Sequence, residues 1–164
     1  MLSGGLVFSS GIDYNYNTSG NPGLFLKGYY NVNKRFLITP SLTVFNRNVK
    51  EEFYFKLTNY MFHFDIDAQY GLIKEDQIVF FAFTGINTTT IISRYKVLEN
   101  VGQDQIDNAS TIKPGINLGG GIKMYINKTA DALLSAKYTA GGFSQFIISL
   151  GVIYHLDGNN RKGW

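Results

Sequence analysis

Residues 59–71, NYMFHFDIDAQYG, place His63, Asp65, Asp67 and Gln69 at every second position. An imidazole and two carboxylates on one strand face could act as a general acid–base set or as the start of a cation site. A second histidine, His155, lies near the end of the chain, and serines are plentiful. A nucleophilic serine needs its base beside it. His155 is followed by Leu156 and Asp157, with no serine at i+2, and no His-x-Ser pair stands on one strand face. The two histidines have no tight metal-ligand spacing, and the chain has no cysteine. Gly119-Gly120-Gly121 is not followed by Lys-Ser/Thr, so it is no phosphate loop. The sequence therefore reads as a non-enzyme without metal or cofactor. Its mid-strand charges are Asp13, Asp65 and Asp67 against Lys27, Lys123 and Lys137. Matched signs suggest a shared enclosure, because a buried charge persists only when paired.

The elements that must hold these residues are strands. Period-2 alternation dominates the chain, and no long segment has a helical period. Eight strands are expected, at about 5–16, 24–33, 36–47, 52–71, 77–97, 113–127, 131–139 and 144–156, with a tail at 157–164. They form one domain over 1–164. TSGNPG, residues 18–23, reads as a turn. Pro40 is a blemish in strand three, since proline removes a ladder donor. Strand five is apolar on both faces, which leaves its orientation open. The polar stretch 98–112 reads as a loop. Links two–three, four–five and six–seven are short; three–four and five–six are long. That alternation of short turns and long loops is the layout of a membrane barrel.

Composition decides which face looks inward. Charged residues are 16% of the chain, well below the usual quarter, while aromatics reach 15%. A soluble barrel would cover its polar faces with Lys and Glu, whereas these faces carry Gly, Ser, Asn and Gln. Net charge is +3 with no basic cluster longer than a pair, which argues against nucleic acid as a partner. Tyr60, Phe62, Phe64, Ile66 and Tyr70 are expected to face lipid, as are Phe146, Ile148, Leu150, Val152 and Tyr154. Ten steps from Tyr60 to Tyr70, at roughly 3.3 Å each and tilted by about 40°, span about 25 Å, the height of a lipid-facing band. Tyrosines at the band's borders fit an aromatic girdle.

On patterning, in YMFHFDIDAQYGL, INLGGGIKMYIN and FIISLGVIYHL, the chain from about residue 4 to 157 resembles the small eight-stranded outer-membrane barrels. These are the OmpA-transmembrane-domain and OmpX type, in the Tyr/Phe/Asn-rich versions common in Bacteroidota. The resemblance implies an all-β, antiparallel up-and-down transmembrane barrel, monomeric, in the outer membrane of a Gram-negative cell. A signal peptide is then taken as removed, because MLSGGLVFSS is not one.

An eight-stranded barrel has an interior that side chains fill. The expected lumen network is Asp13, Lys27, His63, Asp65, Asp67, Gln69, Lys123 and Lys137, with Gly115, Gly119 and Gly121 leaving room for the lysines. The long loops are the expected working surface. Phe53, Tyr54, Phe55, Arg94 and Tyr95 would form a partner surface on strands four and five. The role is then structural or interactive, in membrane integrity, adhesion or binding to lipopolysaccharide or another surface or secretion protein. Two other readings stay open: a narrow conduit for a small hydrophobic molecule, as in the OmpW type, and a soluble calycin-like ligand-binding barrel.

Overall fold

The computed structural model describes residues 1–11, 19–52, 55–97 and 106–156. Its strands are β1 (Leu2–Gly11), β2 (Ser19–Gly28), β3 (Phe36–Phe45), β4 (Phe55–Glu75), β5 (Ile78–Val97), β6 (Ile106–Tyr125), β7 (Ala130–Gly141) and β8 (Gln145–Tyr154). Two short segments, Tyr30–Asn31 and Asn48–Glu52, continue β2 and β3. Every strand pairs antiparallel with its chain neighbours, and β1 pairs with β8. The sheet thus closes into an eight-stranded up-and-down barrel. Among the described residues there is no helix.

Period-2 alternation sorts the side chains into an inner and an outer set. Along β4, Met61, His63, Asp65, Asp67 and Gln69 are buried, while Phe64, Ile66 and Tyr70 are exposed. Register carries this sorting around the barrel: Leu6 pairs with Leu150, Leu150 with Leu134, and Leu42 with Phe64, all outward. Strand five, whose phase the sequence left open, points Phe81, Phe83, Asn87, Thr89 and Ile91 inward and Phe80, Ile86 and Thr88 outward.

One rim is trimmed. Asn33 Oδ1 accepts the N–H groups of Arg35 and Phe36, both at 2.9 Å. Asn127 Oδ1 accepts those of Thr129 and Ala130, again at 2.9 Å. Two turns on this rim therefore use the same asparagine device. In the third, Asp76 takes a positive φ of 35°.

The other rim is uneven. β4, β5 and β6 have 21, 20 and 20 residues, against 10 to 12 for the remaining strands. Their far ends, joined by Asn48–Glu52, stand beyond the barrel as a four-stranded sheet.

Several boundaries differ from those expected. Residues 19–23 are strand rather than turn, with Pro22 on the outward face opposite Phe8. Glu52 belongs to the arm that leaves β3, so strand four does not begin there. Residues 106–112 are strand rather than loop: a sheet standing outside the barrel needs no apolar face, so their polarity was no guide. Pro40 is tolerated because it stands where β2 is interrupted, beside Gly28, on which an added Cβ would come within 3.6 Å of the proline ring.

Candidate functional site

The barrel interior is built in layers. Toward the trimmed rim lie Leu37, Leu133, Ile153 and Tyr29; toward the extended rim lie Phe45, Met61, Ile91 and Phe143, all buried. Polar groups concentrate between them. The expected polar lumen is thus corrected to a polar middle between apolar layers. Eight strands enclose only enough width for side chains, and apolar ones seal it as well as polar ones do.

Asp65 is the hub of the middle layer. Its Oδ2 accepts Lys137 Nζ at 2.7 Å and Ser41 Oγ at 3.1 Å. Its Oδ1 accepts Asn87 Nδ2 at 2.6 Å and Asn117 Nδ2 at 2.9 Å. Asn117 also reaches Asp67 Oδ1 at 2.9 Å, and its own Oδ1 accepts Thr139 Oγ1 at 2.8 Å. Thr89 Oγ1 donates to Asn87 Oδ1 at 2.8 Å. These residues come from β3, β4, β5, β6 and β7, so the hub ties five strands across the lumen.

The remaining lysines find aromatic partners. Lys27 lies 5.2 Å from the centroid of Phe83, and Lys123 lies 4.8 Å from that of Tyr29 and 5.2 Å from that of Phe81. Cation–π contact of this kind is stronger when desolvated. The inward glycines of β6 therefore make room differently from expectation. A Cβ on Gly119 or Gly121 would lie 2.6 Å from the ring tip of Phe83 or Phe81. The rings occupy the space, and the lysines lie on the rings.

His63 is fully buried, edge-on to Phe45 at 4.9 Å. Gln145 Nε2 donates to His63 Nε2 at 2.7 Å, and Ser9 Oγ donates to Gln145 Oε1 at 2.5 Å. Gln145 thus stands between serine and histidine, and the hydroxyl faces an amide oxygen rather than a base. His155 is remote, at the trimmed rim, 2.7 Å from Asp131 Oδ2. Neither histidine is arranged to activate a nucleophile.

Of the other residues singled out in the sequence, Gln69 is inward and buried, and its Nε2, like Asp67 Oδ2, has no hydrogen-bond partner among the described residues. Asp13, Phe53 and Tyr54 lie outside the described residues, as does the tail 157–164. Phe55 opens β4. Arg94 and Tyr95 are exposed on the protruding sheet, and Arg94 packs 5.6 Å above the Tyr60 ring. Tyr60, Phe62, Phe64, Ile66, Tyr70, Phe146, Ile148, Leu150, Val152 and Tyr154 all project outward. Sequence reasoning missed Ser41, Asn87, Asn117 and Gln145. For Asn117 and Gln145 the inward register was legible; for Asn87 it was hidden by the two-faced apolarity of strand five.

No family model and no curated protein matches the chain. Solved structures do. Ail, the attachment invasion locus protein of Yersinia pestis, superposes with a TM-score of 0.66 at 15% identity, over 93% of this chain and 95% of that one. The N-terminal β-barrel domain of Pseudomonas aeruginosa OprF gives 0.56 at 14%, over 92% and 93%. Neisserial surface protein A gives 0.52 at 14%, over the same shares. The chain has the fold of the small eight-stranded outer-membrane barrels, the OmpA-transmembrane-domain and OmpX type.

Proposed function

We propose that this chain is an outer-membrane barrel with a plugged interior, which works through its protruding sheet rather than by conducting solutes. The observation that carries this reading is the outer wall. Across the barrel-closing stretches of all eight strands, the outward positions hold residues such as Leu6, Leu24, Leu42, Phe64, Ile86, Leu118, Leu134 and Leu150, each exposed. None of these outward positions carries Asp, Glu, Lys or Arg. A continuous apolar belt far exceeds the few hundred Å² that a soluble monomer exposes. Lipid is its natural cover, with Tyr70 and Tyr154 at one border and Tyr60 at the other.

Short turns then lie on the periplasmic side and the four-stranded extension on the outside. The plug supports an interactive or structural role over a conduit. Adhesion is the finer form of that role: Ail is an attachment invasion locus protein and has been crystallised with a heparin analogue, sucrose octasulfate. The strand edges of the extension offer the kind of surface that binds partners by strand addition.

The test is reconstitution into phospholipid vesicles. The protein should float with the vesicles, show heat-modifiable gel mobility, and release an entrapped small solute no faster than empty vesicles do. A monodisperse, detergent-free soluble protein would sink the membrane reading. Solute release well above the empty control would sink the plugged one.

A further inference from the structure

Two buried polar atoms of β4 point into the lumen without a hydrogen-bond partner among the described residues: Asp67 Oδ2 and Gln69 Nε2. Both residues are at most 2% exposed. A third polar group stands beside them. Lys27, on β2, holds its ammonium 5.2 Å from the centroid of Phe83, and Phe83 pairs directly with Gln69 across the ladder. Lys27 and Asp67 are each other's strongest charge partner. A ring face satisfies only part of a three-donor ammonium. We propose that Lys27, Asp67 and Gln69 form a binding site for one internal water molecule, which ties β2 into the polar network.

Donor and acceptor counts select the ligand. The site offers N–H groups from Lys27 and Gln69 and one acceptor, Asp67 Oδ2. A water accepts from both donors through its two lone pairs and donates a hydrogen to the carboxylate, so one molecule answers all three groups. About three bonds is the usual number for a buried water. An anion would meet the Asp67 carboxylate, and a metal cation would meet the Lys27 ammonium; neither finds a shell of one sign. Room is present too. Lys27 faces inward, opposite buried Ser3 and Ser41, yet is only half-buried. An inward side chain in a closed barrel keeps accessible surface only where water-sized space reaches it. A buried polar atom without a partner carries a desolvation penalty, and a bridging water removes it.

The water also completes a pattern of ties between strands. The Asp65 hub joins β3, β5, β6 and β7 to β4, and Ser9 and Gln145 join β1 and β8 to His63 on the same strand. These bonds leave out β2. Lys27 is the one charged residue of β2, and it reaches β4 through the water. The site lies on the trimmed-rim side of Asp65, because β4 runs from the extended rim to the trimmed one. It concerns the interior alone and does not depend on what covers the outer wall.

The test is a crystal structure of the full chain grown from a lipidic phase, at a resolution that places water, with a bromide-soaked companion. A density peak within about 2.6–3.2 Å of Lys27 Nζ, Asp67 Oδ2 and Gln69 Nε2 is expected, with no bromide signal at that spot. Lys27 Nζ bonded directly to Asp67 Oδ2 overturns the site. So does bromide there, which would mark a site for anions. In solution, the wild type in nanodiscs should show a magnetisation-transfer cross-peak between water and the Gln69 side-chain amide. Asp67→Leu fills the space and removes the acceptor, and should lose that cross-peak; its survival in the variant overturns the three-group site. Heat-modifiable mobility checks that the variant folds. If it does not, the wild type decides alone: absence of both the density and the cross-peak overturns the proposal.

Discussion

Asp65 shows how one carboxylate can hold a barrel together. It receives four donors from four other strands, whereas Lys137 has, among the described residues, one carboxylate partner, Asp65 itself, at 2.7 Å. The two members of the pair are therefore unequal. Asp65→Leu strands a buried ammonium and the Asn87 amide donor, a loss of about 3–5 kcal/mol. Lys137→Met leaves Asp65 with Ser41, Asn87 and Asn117, and should cost less, about 1–3 kcal/mol. Urea unfolding in lipid vesicles should rank wild type above Lys137→Met above Asp65→Leu; the reverse order, or no difference, would remove Asp65 from the centre of the network. Spacing alone put His63, Asp65, Asp67 and Gln69 on one face. It could not show that Asn117, fifty-two residues beyond Asp65 in sequence, would bridge both aspartates. Such contacts come from ring closure and inter-strand register, which no local pattern carries.

At the scale of strands, glycine placement follows the inward register. Gly119 and Gly121 on β6 face the rings of Phe83 and Phe81, and an added Cβ would also lie within 2.5 Å of a neighbouring-strand carbonyl oxygen, that of Ala136 or Leu134. Gly4, on the outward side of β1, has nothing nearer than 3.5 Å. Gly121→Ala should therefore destabilise the barrel by about 1–3 kcal/mol, while Gly4→Ala should stay within about 0.5 kcal/mol of wild type. Comparable losses at both positions would mean that glycine is needed for strand flexibility rather than for the space its missing Cβ leaves. Most strands were legible because their inner and outer faces differ in chemistry. Strand five was the exception: it is apolar on both sides because its inner residues are the rings on which Lys27 and Phe83, or Lys123 and Phe81, meet. The extent of β6 was hidden for a different reason. Residues 106–112 stand above the belt, where nothing demands alternation.

For the molecule as a whole, the question is what covers the outer wall, and depth gives the answer a measurable form. Leu150 lies midway along β8, flanked by Leu6 and Leu134 across the ladder, and is 54% exposed. Tyr154 ends the same strand at the trimmed rim with 55% exposure. Accessibility alone makes the two positions equivalent. In water, arginine at either would change stability by less than about 0.5 kcal/mol, as at most surface sites. In a bilayer the outcomes separate. Arginine at the midplane of a barrel's lipid face costs about 2–4 kcal/mol, falling to about 0–1 near the interface. Leu150→Arg should therefore fold far less stably in vesicles than Tyr154→Arg, with Phe146→Arg, at the opposite end of β8, grouped with the latter. A flat response along the strand would mean that water, not lipid, meets this wall, and would move the barrel out of the membrane.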